Sequence, residues 1–179
     1  MRPALSNSAI HLEDYIRSIP DWPQKGVLFR DITPLLADAK AFATAVERLC
    51  EDFKKAGIKY VAAVEARGFI FGAAVAERLG AGFVPVRKSG KLPCDTERTR
   101  YDLEYGTSTL EVHSDAVDAG SKVLMVDDLL ATGGTMAAAC ELIERIGGEI
   151  AGITFLIELT DLGGRAKLKG YPVHTVISY

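Results

Sequence analysis

Apolar and polar positions follow two different repeats along this chain, and the two repeats alternate. Short, largely apolar runs predict buried strands at 60–64, 82–86, 122–126, 150–159 and 173–177. Several segments between these runs carry an apolar residue every three or four positions, which predicts helices. Strands and helices in alternation favour an α/β fold with a mainly parallel, twisted sheet flanked by helices.

The helix repeat is clear in the first third of the chain. Spacings of four, three and four define the apolar face of a helix that we expect to end at Gly57. The residues of that face are Phe42, Val46, Leu49 and Phe53. Further helices are predicted at 69–79, after Thr135 and, as a short helix, near Arg165.

The N-terminal part of the chain follows neither repeat. Pro20 and Pro23 would break a helix, and the stretch that continues to Pro34 is expected to be irregular. We therefore expect residues 1–35 to form a cap, or hood, on the rest of the chain.

Composition narrows the class of protein. With 179 residues, of which 48% are hydrophobic, the chain is expected to form one globular domain, 1–179. A net charge of −3 argues against a general nucleic-acid partner. Three cysteines without C-x-x-C spacing are typical of reduced thiols, and no apolar run approaches the roughly 18 residues of a membrane span. We expect a cytoplasmic protein with no membrane partner.

The most informative motif begins at Val123, where an apolar run ends in Asp127 and Asp128. A loop of small residues follows and leads into a predicted helix; the loop consists of Ala131, Thr132, Gly133, Gly134 and Thr135. Free backbone amides at a helix start bind phosphate, and glycines let the backbone approach it closely. Carboxylates accept hydrogen bonds from sugar hydroxyls. The motif therefore predicts a site for a ribose phosphate.

An ordinary turn with solvated acids is the alternative, but two adjacent carboxylates repel each other and gain nothing in such a turn. The sequence contains neither a Gly-Lys-Ser/Thr after the glycines nor a Gly-x-Gly-x-x-Gly pattern. Nucleoside triphosphates and dinucleotides are therefore disfavoured as ligands.

Basic residues follow two other predicted strands. Arg67 comes after strand 60–64, and Arg87, Lys88 and Lys91 come after strand 82–86. In an acidic chain this concentration at one sheet edge indicates a multiply charged anion, although solvated loops remain the alternative. The polar segment 91–106 is typical of a lid. Spacing alone makes Glu104 an exposed hairpin residue.

Segment 123–135 resembles the phosphoribosyl-pyrophosphate signature of type I phosphoribosyltransferases. Other segments resemble, in the same order, the motifs of the adenine phosphoribosyltransferase family: 19–23 (IPDWP) with 26–35 (GVLFRDITPL), 67–69 (RGF), 87–88 (RK) with 90–93 (GKLP), and 103–106 (LEYG). The resemblance runs from about residue 16 to residue 159. Several separated motifs in order are far more specific than any one of them.

This resemblance implies the type I phosphoribosyltransferase fold with an N-terminal hood and a flexible lid loop at about 87–110. It also implies a pentosyltransferase of purine salvage. The reaction would transfer 5-phosphoribosyl from phosphoribosyl pyrophosphate to N9 of adenine, giving AMP and diphosphate (pyrophosphate). Mg²⁺ would be held mainly through substrate oxygens, without dedicated protein ligands, and the protein would be a homodimer.

The resemblance also implies a role for each site residue. In the hood, Phe29 would stack on adenine while the backbone groups of Leu28 and Arg30 read its edge. Asp127 and Asp128 would bind the ribose hydroxyls, and the loop 131–135 would bind the 5-phosphate. Pyrophosphate would be bound by Arg67, Arg87, Lys88 and Lys91. Glu104 would be the catalytic acid/base, and Tyr105 would belong to the lid.

Two other functions remain open from the sequence. The first is a phosphoribosyltransferase for hypoxanthine, guanine or xanthine, which the Phe29 hood disfavours. The second is a non-catalytic regulator that senses phosphoribosyl pyrophosphate, which would need a nucleic-acid-reading module and a basic surplus that the sequence lacks.

Overall fold

The computed structural model describes residues 10–102 and 106–179. The chain forms two compact units, Met1–Ala45 and Val46–Tyr179. Helix α2, Ala39–Cys50, crosses the boundary between these units in the sequence.

The N-terminal unit is built around a β-hairpin. A 3₁₀ helix at Leu12–Tyr15 precedes strands β1, Arg17–Pro20, and β2, Leu28–Asp31, which pair antiparallel, and helix α1, Thr33–Ala37, follows. The expectation of an irregular stretch from Pro20 to Pro34 was therefore wrong. Pro20 is tolerated because it closes a strand at the turn, and the Asp21 carboxylate stabilises that turn by accepting the Gly26 N–H at 2.7 Å.

Helix α2 begins where the side chain of Asp38 caps it. The Asp38 carboxylate accepts the backbone N–H groups of Lys40 and Ala41 at 2.9 and 2.8 Å. The helix ends at Cys50, and a 3₁₀ turn, Glu51–Phe53, follows. The predicted apolar face is present but its helix stops earlier than the expected end at Gly57, because the last turn tightens.

The larger unit contains a seven-stranded sheet with the order β5-β6-β4-β3-β7-β8-β9. The strands are β3 Tyr60–Val64, β4 Gly82–Lys88, β5 Thr96–Asp102, β6 Thr107–His113, β7 Lys122–Leu130, β8 Glu149–Glu158 and β9 Val173–Ser178. The helices are α3 Arg67–Leu79 and α4 Gly134–Arg145, with 3₁₀ helices at Glu51–Phe53, Thr160–Leu162 and Gly164–Leu168. The pairs β4-β3, β3-β7, β7-β8 and β8-β9 are parallel, whereas β4-β6 and β5-β6 are antiparallel. The predicted α/β class with a mainly parallel sheet is confirmed.

Helices cover both faces of this sheet. A Cβ on Gly72 of α3 would lie 2.5 Å from the Cβ of Ala63, so α3 packs on the face that Ala63 presents. The neighbouring Ala62 belongs to the buried cluster that includes Met136 and Leu142 of α4. Because successive strand residues face opposite sides, α3 and α4 lie on opposite faces of the sheet. Because the central strands are buried on both faces, their sequences are continuous apolar runs.

Two boundaries differ from the predictions in ways that matter for the site. Strand β7 continues to Leu130, so Asp127 and Asp128 lie within the strand and not after it. The segment expected to be a lid loop at about 87–110 consists largely of strands, because β5 pairs antiparallel with β6 from Thr96↔His113 to Asp102↔Thr107. Arg98 and Arg100 on one face of β5 are exposed while Thr99 on the other face is buried, so polar residues gave this strand the composition of a loop. Within the described residues, no helix is long and apolar enough to cross a bilayer.

Candidate active site

A cavity of about 220 Å³ opens at the carboxyl end of β7. The described ladder between β3 and β7 ends at the pair Ala63↔Val126, while β7 continues beside β8 to the pair Leu130↔Glu158. The crevice lies where one neighbouring strand has stopped, as is usual for ligand sites in open α/β sheets. It is lined by Arg67, by residues 127–136 and by Phe155.

Two acids and one guanidinium share this cavity. Arg67, the first residue of α3, places a guanidinium nitrogen 2.9 Å from the Asp128 carboxylate, whose side chain is 8% exposed. Burial, and then the charge of Asp128, raise the pKa of Asp127 well above its usual range. Burial also raises the pKa of Asp128, although Arg67 opposes this change. One cation does not balance two poorly solvated carboxylates, so the cavity favours a ligand that donates hydrogen bonds, such as a sugar with free hydroxyls.

The loop 131–135 carries the backbone into the start of α4. Gly133 caps the helix in a left-handed conformation, with φ +76. A Cβ on Gly133 would lie 2.4 Å from the carbonyl oxygen of Gly164, and a Cβ on Gly164 would lie 2.2 Å from that of Ala131. The loop and the 3₁₀ helix Gly164–Leu168 therefore touch backbone to backbone. The positive end of the α4 dipole, together with the amides of its first turn, suits a phosphate dianion.

A cluster of charged residues lies at the ends of β3 and β4. The Glu65 carboxylate, with its side chain 10% exposed, lies 3.4 Å from an Arg87 guanidinium nitrogen and 3.3 Å from the Lys91 ammonium. It also accepts the backbone N–H of Lys88 at 2.7 Å. Burial alone would raise the pKa of Glu65, but this N–H and the two cations lower it below its usual range. Glu65 therefore stays ionised at neutral pH.

A second carboxylate binds the backbone of the segment that follows β4. Glu111 of β6 is fully buried and accepts the N–H groups of Lys91 and Leu92 at 2.8 Å each. The Arg98 guanidinium lies 3.1 Å from its other oxygen. These partners outweigh burial and lower the pKa of Glu111.

The hood residues lie in the N-terminal unit. The rings of Phe29 and Trp22 are 4.3 Å apart between centroids, at an interplanar angle of 62°. Leu28 is 47% exposed, and the Arg30 guanidinium donates to the Ser18 hydroxyl. An apolar surface with an aromatic ring at the hairpin end suits a flat apolar ligand.

The chain is similar to known proteins over nearly its whole length. The model of the phosphoribosyl transferase domain matches residues 33–177. The adenine phosphoribosyltransferase of Clostridium perfringens (strain SM101 / Type A) is 56% identical over 168 residues, covering 94% of this chain and 98% of that protein. The chain belongs to the adenine phosphoribosyltransferase family.

Solved structures of the family share the fold. The adenine phosphoribosyltransferase of Thermoanaerobacter pseudethanolicus matches with a TM-score of 0.91 and 53% identity, over 94% of this chain and 100% of that chain. The Saccharomyces cerevisiae enzyme, solved in complex with adenine and an imino-altritol bisphosphate, matches with a TM-score of 0.88 and 40% identity, over 92% and 96% of the two chains. The predicted type I phosphoribosyltransferase fold is thus confirmed.

The structure brings together most residues that the family resemblance singled out. Arg67 and the acids line one cavity with the loop 131–135, and Arg87 and Lys91 meet at Glu65, two residues before Arg67. Leu28, Phe29 and Arg30 belong to the other unit. Glu104 and Tyr105 lie outside the described residues.

Three residues that shape this region were not predicted from the sequence: Glu65, Glu111 and Gly164. Two of them carry a weak signal in the sequence. Glu65 directly precedes Ala66-Arg67-Gly68, and Gly164 belongs to a Gly-Gly pair. Across the described part of the chain, no group of three or more His, Cys, Asp or Glu side chains is arranged to hold a metal ion.

Proposed function

We propose that this protein transfers the 5-phosphoribosyl group of phosphoribosyl pyrophosphate to N9 of adenine, giving AMP and pyrophosphate. The observation that carries the proposal is the cavity in which Asp127 and Asp128 face the loop at the start of α4. Relatives named adenine phosphoribosyltransferase, 52–56% identical over nearly the whole chain, support adenine as the base.

The ribose phosphate would be bound from two sides. Backbone amides of the loop 131–135 would hold the 5-phosphate, with the hydroxyls of Thr132 and Thr135 as further donors. Asp127 and Asp128 would accept hydrogen bonds from the ribose hydroxyls. Such bonds stabilise the ionised carboxylates, so substrate would replace the solvation that burial removes.

Pyrophosphate would be bound by Arg67, Arg87, Lys88 and Lys91. As pyrophosphate leaves, C1 of the ribose gains positive charge, and cations on the leaving group stabilise the negative charge that develops there. The donor set fits Mg²⁺, which usually binds one or two carboxylates and substrate oxygens, and Asp127 and Asp128 supply carboxylates in the cavity. The ion would be held mainly by substrate oxygens and would neutralise part of the pyrophosphate charge.

The roles at the base rest on the family resemblance. Phe29 would stack on adenine, and the backbone of Leu28 and Arg30 would match its donors and acceptors. Glu104 would handle the imidazole proton as N9 becomes the nucleophile, beneath a lid that includes Tyr105. We also propose a single functional domain over 1–179, with a hood at about 1–35 and a lid at about 87–110, in a cytoplasmic homodimer.

A purine panel tests the proposal. We expect AMP to form from adenine and phosphoribosyl pyrophosphate in the presence of Mg²⁺, with little turnover without Mg²⁺. Hypoxanthine and guanine exchange a donor for an acceptor at the base edge, and each mismatched buried group costs about 1–3 kcal/mol. Comparable turnover of hypoxanthine would favour the oxopurine enzyme. Binding of phosphoribosyl pyrophosphate without turnover of any purine, together with binding of labelled DNA, would favour the regulator.

A further inference from the structure

The Glu65 carboxylate faces the cations that we propose to bind pyrophosphate. One of its oxygens is 3.4 Å from Arg87 and 3.3 Å from Lys91, and the other accepts the Lys88 N–H at 2.7 Å. Charge-assisted hydrogen bonds between nitrogen and carboxylate oxygen are usually about 2.7–2.9 Å long. The carboxylate is thus held tightly by the backbone and loosely by the two cations.

The cationic segment does not depend on Glu65 alone for its conformation, since Glu65 bonds only the Lys88 N–H of its backbone. Glu111, fully buried, accepts the N–H groups of Lys91 and Leu92, and the Arg87 guanidinium also donates to the Lys91 carbonyl at 3.1 Å. These contacts fix the backbone that carries the cations. Loss of the Glu65 charge should therefore leave Arg87 and Lys91 in place but without their counter-anion.

We propose that Glu65 competes with pyrophosphate for Arg87 and Lys91 and thereby limits the affinity of the site for pyrophosphate. The inference rests on the proposed function, because it takes these cations as pyrophosphate ligands. Pyrophosphate must displace the carboxylate from both cations, and the displaced charge then repels the bound anion at short range. When pyrophosphate is the product, the carboxylate returns to the cations and favours its release.

Isothermal titration of inorganic pyrophosphate, with Mg²⁺ at a fixed concentration, tests this proposal in the wild-type protein and three variants. Glu65→Gln keeps the side-chain size and an oxygen for the Lys88 N–H but removes the charge. We expect it to bind pyrophosphate about 3- to 10-fold more tightly than wild type, the scale of one partly exposed ion pair. Glu149→Gln is the matched control, because Glu149 is exposed at the start of β8 and its loss changes the net charge equally. It should bind within about twofold of wild type.

The sign of the change separates competition from a structural role. If Glu65 merely positions the cations, Glu65→Gln binds pyrophosphate more weakly, and that result or an unchanged affinity overturns the proposal. Glu65→Asp, which withdraws the charge by one methylene, should fall between Gln and wild type and decides the question if Glu65→Gln melts early. A wild-type protein that does not bind pyrophosphate refutes the proposed function itself, whereas normal binding without tightening in the variants refutes only this inference.

Discussion

Gly164→Ala should displace the loop 131–135, which we propose to bind the 5-phosphate. The new Cβ would lie 2.2 Å from the Ala131 carbonyl oxygen and 2.9 Å from Leu130 Cδ1. Real Cβ atoms essentially never approach another heavy atom within 3.0 Å, so the Ala131 carbonyl and the new methyl must separate by about 0.8 Å. Because the obstacle is backbone, rotation of a side chain cannot relieve this contact, and the loop itself must move.

The expected magnitudes follow from that displacement. Overpacking of this kind costs about 1–3 kcal/mol, and each kcal/mol lowers the Tm of a chain of this size by about 2–4 °C. We therefore expect the Tm to fall by about 2–12 °C. A misplacement of about 1 Å can cost up to about 10²-fold in catalysis, so kcat/KM for phosphoribosyl pyrophosphate should fall about 10- to 100-fold. The KM for adenine should change less, because the proposed base contacts lie elsewhere.

Gly163→Ala is the matched control. Gly163 has φ +62, and a Cβ there would meet no atom within 4 Å. Alanine in this left-handed conformation costs about 1–2 kcal/mol without pushing on any neighbour. Both variants should therefore lose stability, but only Gly164→Ala should lose affinity for phosphoribosyl pyrophosphate. Thermal melting and steady-state kinetics measure the two effects, and equal kcat/KM values for the two variants would refute the link between Gly164 and the loop.

Two further predictions concern the acids. Burial raises the pKa of Asp127, so the folded protein keeps a proton that the unfolded chain releases, and the ligand-free fold loses stability as the pH rises from the unfolded-chain pKa through that raised pKa. Asp127→Asn should therefore raise the ligand-free Tm more at pH 8 than at pH 4, while weakening the binding of phosphoribosyl pyrophosphate; a Tm gain that is equal at both pH values would contradict this reasoning. Glu104→Gln should reduce turnover about 10²–10⁴-fold while phosphoribosyl-pyrophosphate binding hardly changes, and near-wild-type steady-state kinetics would instead identify Glu104 as an ordinary exposed residue.

The alternation of parallel strands and helices and the ribose-phosphate motif could be predicted from the sequence because both depend on neighbouring residues. The apolar run at Val123 to Val126 is buried on both faces of the sheet, as its composition indicates, and the acids and glycines that follow it line one cavity. The adenine-binding hood and Glu104 came from family resemblance and stay predictions. Strand ends were less predictable: β7 extends past the acids because β8 continues to pair with it there.

The sequence by itself determined the buried parallel strands, the helices between them and the acidic and glycine-rich motif, since each is a short-range pattern of residue types. The tertiary structure decided which distant residues support that motif. Gly164 meets Ala131, and Glu65 meets Lys91, only because strands far apart in the chain end at the same edge of the sheet. The polar segment Thr96–Asp102 forms strand β5 because β6 supplies its hydrogen-bond partners. The periodicity of apolar residues indicates which face of an element is buried, but a contact between elements depends on how the whole chain packs.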